Sequence, residues 1–386
     1  MKVFYWSPFI SEVATTFAVI NSIKAIKKFS KNKKINCKVI DVFKEWSSYQ
    51  EILDHNNIET IKLKTSLNIK RLPVKGFLKS RFTYILVFFF SIIKLHKIIK
   101  KEKPDYLIIH LISYIPLILL NLFNYQTKFI LRISGFPKTN LIRKFFWKIS
   151  NKKLDKIFCP TLNTREILIN ENIFSKNKLF IVNDPVIDVN KVLNKRNKNL
   201  ESNYNWLKNK KFIISVGRLS KQKNFLFLIN NFKKILDRNP DLYLIILGEG
   251  EDRHILEKEI LKKNMENNIF LLGYQNNIYP FIKNSLFFVL TSDWEDPGFV
   301  ILESMFSRKV VLSSNCISGP KEIIKDGING FLYKKNDKDD FCKKFFLILD
   351  LINNKNVLKK ITLQGIIKSK DYSKFNHFKQ IKNLLN

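Results

Sequence analysis

The chain has 386 residues, 45% hydrophobic and 26% charged, a balance that excludes a disordered polymer and leaves room for two domains with separate cores. Its formal net charge of +35 favours anionic partners: nucleic acid, phosphorylated small molecules or an acidic membrane face. The lysines are scattered and mingle with Asn and Ile, so a solvated lysine surface is the plainer source of that charge, and the widely spaced Cys37, Cys159, Cys316 and Cys342 offer neither a disulfide framework nor a zinc site.

In chain order, "MKVFYWSPFI" lacks a long apolar run before a small-residue cleavage site, and residues 2–6 read as a strand rather than a signal peptide. A helical pattern follows over 13–29, then a strand at 37–43 and a helix at 82–101. The most apolar run, "YILVFFFSII" (84–93), is ten residues long, too short to span a bilayer, and Lys94, Lys97, Lys100 and Lys101 follow it. That helix suits an anionic membrane surface, or equally a buried position with a wet lysine edge. Strand-like runs come next at 104–111, 128–134, 156–161 and 179–182. Residues 191–210 are polar, Lys/Asn-rich and poorly periodic, and read as a linker. The alternation then restarts, with strands at 212–217, 242–248, 269–273, 286–292, 310–314 and 330–333.

This β-α alternation predicts an α/β fold of two Rossmann-like domains with parallel sheets facing a central cleft. The domains run over 1–190 and 211–370, with a terminal segment at 371–386. Ligands of such sheets bind outside the carboxyl ends of the strands, so candidate residues belong there.

"FIISVGRLSKQKNF" (212–225) ends a strand at Gly217 and opens a helix near Asn224, with Arg218 and Lys223 between. Close backbone approach at the glycine, a helix N-terminus, an Arg fork and a Lys point charge together suit a diphosphate; a solvated turn is the alternative. "LGEGED" (247–252) is either a close approach to a nucleotide or a tight strand–helix turn, and is not the G-x-G-x-x-G fingerprint. In "TSDWEDPGFVILESM" (291–305), Glu295 is expected in a loop, Pro297 and Gly298 at the start of a helix, and Glu303 just over one turn into it. Both carboxylates then approach a ligand seated over the helix N-terminus, where a sugar and a ribose need acceptors for their hydroxyls.

"SDWEDPGFVILESM" resembles the E-x7-E signature of glycosyltransferase family 4, the retaining enzymes of GT-B fold. "VGRLSKQKN" is similar to that family's diphosphate loop, and "SGPKEIIKDGINGFL" (318–332) to its continuation. The first half resembles it more loosely through "FYWSPFISEVATT", "IIHLISYIP" and "LRISGFPKTN", which look most like transferases of bacterial surface-polysaccharide (O-antigen or capsule) clusters. The resemblance implies retaining transfer of a hexose from a nucleotide-diphosphate sugar to a glycan acceptor, most simply a lipid-linked oligosaccharide, in the cytoplasm or at the inner face of the plasma membrane. It implies that Gly217, Arg218 and Lys223 hold the donor diphosphate and that Glu295 takes hydroxyls of the donor sugar. It further implies that backbone around Gly298, Phe299 and Val300 meets sugar and phosphates, that Glu303 takes the ribose, and that His110 faces the donor. The catalytic pair is then Glu295 and His110, no metal or other cofactor is expected, and the terminal helix returns to the first domain. The acceptor sits mainly on the first half, whose basic, aromatic-rich segment 71–101 suits a membrane-borne substrate. Two positions depart from the family: Asn224 stands where Gly is common, and "WSPFISEV" has no Gly-Gly loop. A nucleotide-sugar epimerase of the same plan and a basic nucleic-acid-binding protein are the alternatives, although no nucleic-acid motif is visible.

Overall fold

A computed structural model describes residues 1–10, 14–30, 35–63, 65, 77–134 and 141–385. Parts of three segments singled out above, residues 11–13, 71–76 and 135–140, lie outside the described residues. The chain divides into two compact units, Met1–Pro185 with Lys374–Asn386, and Val186–Ser373.

The first unit is built on seven parallel strands: β1 Lys2–Trp6, β2 Asn36–Asp41, β3 Glu59–Lys62, β4 Tyr106–Ile109, β5 Lys128–Arg132, β6 Lys156–Cys159 and β7 Leu179–Ile181. They lie in the order β3-β2-β1-β4-β5-β6-β7. The strands are apolar nearly throughout because both sheet faces are covered. The described α-helices of its Met1–Pro185 part are α1 Ala14–Phe29, α2 Gln50–His55, α3 Phe77–Glu102, α4 Tyr114–Leu122, α5 Leu141–Ser150 and α6 Leu162–Asn170. On one face Phe4, Trp6, Leu107 and Leu131 pack with Val87, Leu95 and Ile99 of α3, Ile115 of α4 and Trp147 of α5. On the other, Val3, Tyr5 and Val39 pack with α1 and with Ile381 of the terminal helix. The run 84–93 thus lies inside a 26-residue helix, of which residues 82–102 are long and apolar enough to cross a membrane, yet whose stripe Thr83, Val87, Ser91, Leu95, Ile99 is buried at four-residue spacing.

The second unit carries α7 Val189–Asn197, then β8 Lys211–Val216, α8 Phe225–Leu236, β9 Leu242–Leu247, α9 Arg253–Lys262, β10 Ile269–Leu271, α10 Tyr279–Asn284 and β11 Phe288–Leu290. Next come β12 Trp294–Glu295, α11 Phe299–Phe306, β13 Val311–Ser314, β14 Ile317–Ser318, α12 Gly319–Ile323, β15 Phe331–Tyr333, α13 Lys338–Ile352 and α14 Lys355–Lys370. Its main sheet has the order β10-β9-β8-β11-β13-β15, and β12 pairs with β14 apart from it. Both main sheets reverse direction beside their first strand, between β1 and β4 and between β8 and β11, the doubly wound arrangement whose switch points receive ligands.

The segment 191–210, expected as a linker, is structured: α7 covers most of its first half, a 3-10 turn spans Ser202–Leu207, and Val192, Leu200 and Leu207 are buried in the second unit's core. Its few apolar anchors are too far apart to show a period. The terminal helix α15, Lys374–Leu384, packs on α1 and belongs to the first unit.

Candidate functional site

The two loops leaving the switch point of the second sheet are 217–224, after β8, and 291–298, after β11. They are stitched together. The Asp293 N–H donates to the Gln222 carbonyl (2.8 Å), the Thr291 hydroxyl to the Lys223 carbonyl (3.0 Å), and the Gln222 amide to the Trp294 carbonyl (3.0 Å). Across that seam Lys223 Nζ meets Glu295 Oε1 at 2.5 Å, and Ser292 Oγ donates to the same oxygen at 2.6 Å. The pair is well sheltered, with Lys223 15% and Glu295 6% exposed, so the attraction is screened less than in bulk water. Gly217 makes room for it, since a Cβ there would lie 3.0 Å from the Lys223 Cε.

Glu295 does not stand in a free loop. It forms the short β12 ladder, in register with Ser318 of β14, and Gly319 packs so tightly that a Cβ would fall 1.6 Å from the Pro297 carbonyl oxygen. The 318–320 "SGP" run is therefore the buttress of the Glu295 loop. Pro297 precedes the helix rather than occupying its first turn; Gly298, at φ +94°, is the N-cap and supplies no side-chain cap to α11. Glycine is the residue that adopts this conformation without strain, and it leaves the first-turn N–H groups of Phe299 and Val300 uncapped by a side chain.

Asn224, the departure from the family's glycine, is accounted for by its backbone. It sits at φ +49°, a left-handed conformation that Asn tolerates, and its side chain accepts the Phe227 N–H at the start of α8. Asn thus supplies the turn of a glycine and also a cap.

The other candidates have different surroundings. Arg218 is 73% exposed and, among the described residues, its guanidinium reaches the exposed Glu251, at 3.0 Å. Glu303 is partly buried, faces Lys195 and Lys191 of α7, and accepts a hydrogen bond from the Tyr279 hydroxyl at 3.0 Å. Burial raises its carboxyl above the usual range, and the Tyr279 bond and the two lysines oppose that rise. The glycines of "LGEGED" pack on protein: a Cβ on Gly248 would lie 1.9 Å from the Gly217 carbonyl oxygen, and one on Gly250 2.2 Å from that of Leu219. They bring one turn against the other, so the tight-turn reading holds for Gly248 and Gly250.

His110 directly follows β4 at the switch point of the first sheet, its N–H donating to the Trp6 carbonyl at 2.8 Å. Its ring lines a cavity of about 10 Å³, near one water in size, with Tyr5, Ser22, Arg132, Asp184 and His377. Arg132 is bound to Asp184 Oδ1 at 2.6 Å and to the Val182 carbonyl. The Asn183 carbonyl can only accept, so His377 donates to it from Nδ1 (2.6 Å) and accepts from the Ser22 hydroxyl at Nε2 (2.8 Å), while the Tyr5 hydroxyl donates to Ser22 at 3.0 Å. Burial, then the Arg132 charge, holds the His110 imidazole well below its ordinary range, and burial lowers His377 to about 4. Both rings are neutral at ordinary pH.

The sequence reading missed Ser292, Gln222, Tyr279, Lys195 and this His377 cluster. Ser292, three residues ahead of Glu295, and Gln222, next to Lys223, lay within the quoted motifs; the rest come from distant segments.

Two doubly wound parallel sheets, each with its own switch point, define an α/β protein of GT-B fold. Residues 197–364 match the family "Glycosyl transferases group 1", so the second unit belongs to the group 1 glycosyltransferases. The family 4 motifs at 212–225, 291–305 and 318–332 all fall inside that match. An uncharacterized glycosyltransferase of Methanocaldococcus jannaschii is 36% identical over 251 residues, which cover 61% of this chain and 62% of that protein. The UDP-Gal:alpha-D-GlcNAc-diphosphoundecaprenol alpha-1,3-galactosyltransferase of Escherichia coli is 28% identical, covering 70% of this chain and 76% of its own length. The chain thus spans less than two thirds of the first relative and about three quarters of the second. The crystal structure of a glycosyltransferase from Rickettsia africae shares the fold with a TM-score of 0.76, at 17% identity, over 99% of this chain and 96% of that one.

Proposed function

We propose that the protein is a retaining glycosyltransferase that moves a hexose from a nucleotide-diphosphate sugar to a lipid-linked glycan acceptor. The observation that carries this reading is the Lys223–Glu295 pair at the switch point of the second sheet, beside the helix start at Gly298. With no ligand the two charges neutralise each other. When a donor binds, Lys223 turns to the diphosphate and Glu295 accepts from the sugar's hydroxyls. Arg218, 73% exposed and paired with the exposed Glu251, can swing in as a second cation. The name of the Escherichia coli relative, with its UDP-Gal donor and diphosphoundecaprenol acceptor, supports the same pairing of substrates.

The reaction breaks the bond from the anomeric carbon to the diphosphate and forms one from that carbon, on the same face, to an acceptor hydroxyl. The acceptor's proton passes to the leaving phosphate oxygen. The developing charge is met by Lys223, Arg218 and the first-turn N–H groups of α11, so no metal is assigned a role. Losing one such preorganised group costs roughly 10²–10³ in rate. Glu295 orients the sugar, and Glu303 with Tyr279 lies one turn further along α11 for the ribose.

The test is thermal denaturation with a panel of nucleotide sugars, on wild type and Glu295→Ala. A ligand at 100 times its dissociation constant adds about 2.7 kcal/mol. One nucleotide sugar stabilising the wild type, with the sugar-dependent part lost in the variant, supports the reading. Nucleic acid that shifts the melting curve where no nucleotide sugar does would overturn it, and donor converted without acceptor would make the protein an epimerase.

A further inference from the structure

We infer that the outer faces of α3 and α5 are a docking surface for an anionic lipid bilayer, on which the first unit lies without being spanned by it. On α3 the stripe Phe82, Ile85, Phe89, Ile93 is exposed, directly opposite the buried stripe, and Phe89 is 67% in the open. On α5, Phe145 and Ile149, one turn apart, are exposed while Trp147 is buried; Phe145 is 61% exposed. The two helices belong to one layer. Both contribute to the core on the same sheet face, together with α4, whose Tyr114 hydroxyl donates to the Tyr84 carbonyl of α3 at 2.7 Å. Monomers rarely leave so many large apolar side chains open on one face.

Charge decides the occupant. The exposed stripe of α3 continues at helical spacing into the exposed Lys97 and Lys100, and the exposed Lys148 stands beside Ile149 on α5. Apolar side chains enter the acyl boundary while lysines at one end of the same stripe meet acidic headgroups, the pattern of an interfacial helix. A second copy of this chain would bring another +35 of charge against it, which opposes self-association through this face. A span across the bilayer is opposed by Thr83, Val87, Ser91, Leu95 and Ile99, which pack toward the sheet and cannot face lipid.

The test is co-sedimentation of the full chain with phosphatidylcholine vesicles, with and without phosphatidylglycerol, at low salt. The chain should pellet with the anionic vesicles. Phe89→Ser with Ile93→Ser should weaken that binding by at least about tenfold, since each removes an apolar group from the acyl boundary. Lys97→Gln with Lys100→Gln should weaken it about fivefold per lysine. These side chains are exposed, so the variants keep the fold, and an unchanged melting temperature without ligand shows that they do. A wild type left in the supernatant overturns the inference, as does Phe89→Ser with Ile93→Ser binding as tightly as wild type. A dimer in equilibrium sedimentation that the same pair of changes dissociates would assign the face to a second copy instead. Vesicle binding is read without donor and donor binding without vesicles, so failure of either leaves the other standing.

Discussion

In the second unit Lys223 and Glu295 meet across two adjacent loops that leave the sheet side by side; in the first, Tyr5, Ser22, Arg132, Asp184 and His377 converge from separate elements on one buried cluster. The loop pair needs only two short segments, each with its own turn residues, to bring cation and carboxylate together. The cluster needs the whole unit, including a helix that arrives after the entire second unit has been threaded. The loop pair is a single cation–carboxylate contact, which under the proposed function opens when Lys223 leaves Glu295 for a diphosphate. The cluster is saturated within itself, with donors and acceptors matched around His377, as suits groups that fix positions.

The largest effect should come from the glycine buttress of the loop pair. Gly319→Ala would set a Cβ against the Pro297 carbonyl, and Gly248→Ala one against the Gly217 carbonyl at φ +140°. Each should cost on the order of 4 kcal/mol or prevent folding, read by urea denaturation. If either is tolerated, the loops are softer than the contacts imply.

The cluster is tested by pH. His377 has a folded value of about 4, below the ordinary 6.5. Between those values the unfolded chain takes up a proton that the folded chain refuses. Stability from His377 is therefore complete above 6.5 and falls by about 3 kcal/mol as pH drops through the window. His110, lowered in the same direction, adds to the slope. The difference between wild-type and His377→Gln stability curves over that window isolates the effect; parallel curves would show the imidazole to be solvated.

Next is the contrast between the two cations. Lys223→Ala leaves Glu295 sheltered with only Ser292, and should cost about 2 kcal/mol together with a rate loss of roughly 10²–10³. Arg218→Ala breaks only an exposed pair, and should cost under about 1 kcal/mol while still weakening donor binding. Equal losses of stability would erase the distinction between a sheltered and a poised cation. The smallest effect belongs to Tyr279→Phe, about 1 kcal/mol by thermal melting, with the Glu303 carboxyl pushed further upward.

The same contrast explains what was legible in the sequence. Alternating apolar and helical runs revealed both sheets, because strands covered on both faces read as continuous apolar segments such as Phe212–Val216 and Leu242–Leu247. Lys223, Glu295 and Gly298 were readable because turn residues and charges sit close together in the chain. The stitch from Gln222 to Asp293, the Tyr279–Glu303 bond and the Gly248–Gly217 contact were not, since each joins residues at least 24 positions apart with no local signature. Residues 191–210 misled for the opposite reason: their polar composition resembles a linker, and they are held by sparse buried anchors, Val192, Leu200 and Leu207, and by contacts such as Gln275 with the Tyr204 hydroxyl and Asn277 with the Lys195 carbonyl.

The return of α15 to the first unit has a consequence in time. His377 holds Ser22 and Asn183, and the Tyr106 hydroxyl donates to the Leu385 carbonyl at 2.8 Å. During synthesis the ribosome delivers these partners only after the continuous second unit has left the exit tunnel. The earlier-made unit must wait, incomplete, for the later-made one, and its α3 and α5 faces are in the open while it does. A chain truncated after Ser373 and released should therefore be cut by protease in the first unit and spared in the second.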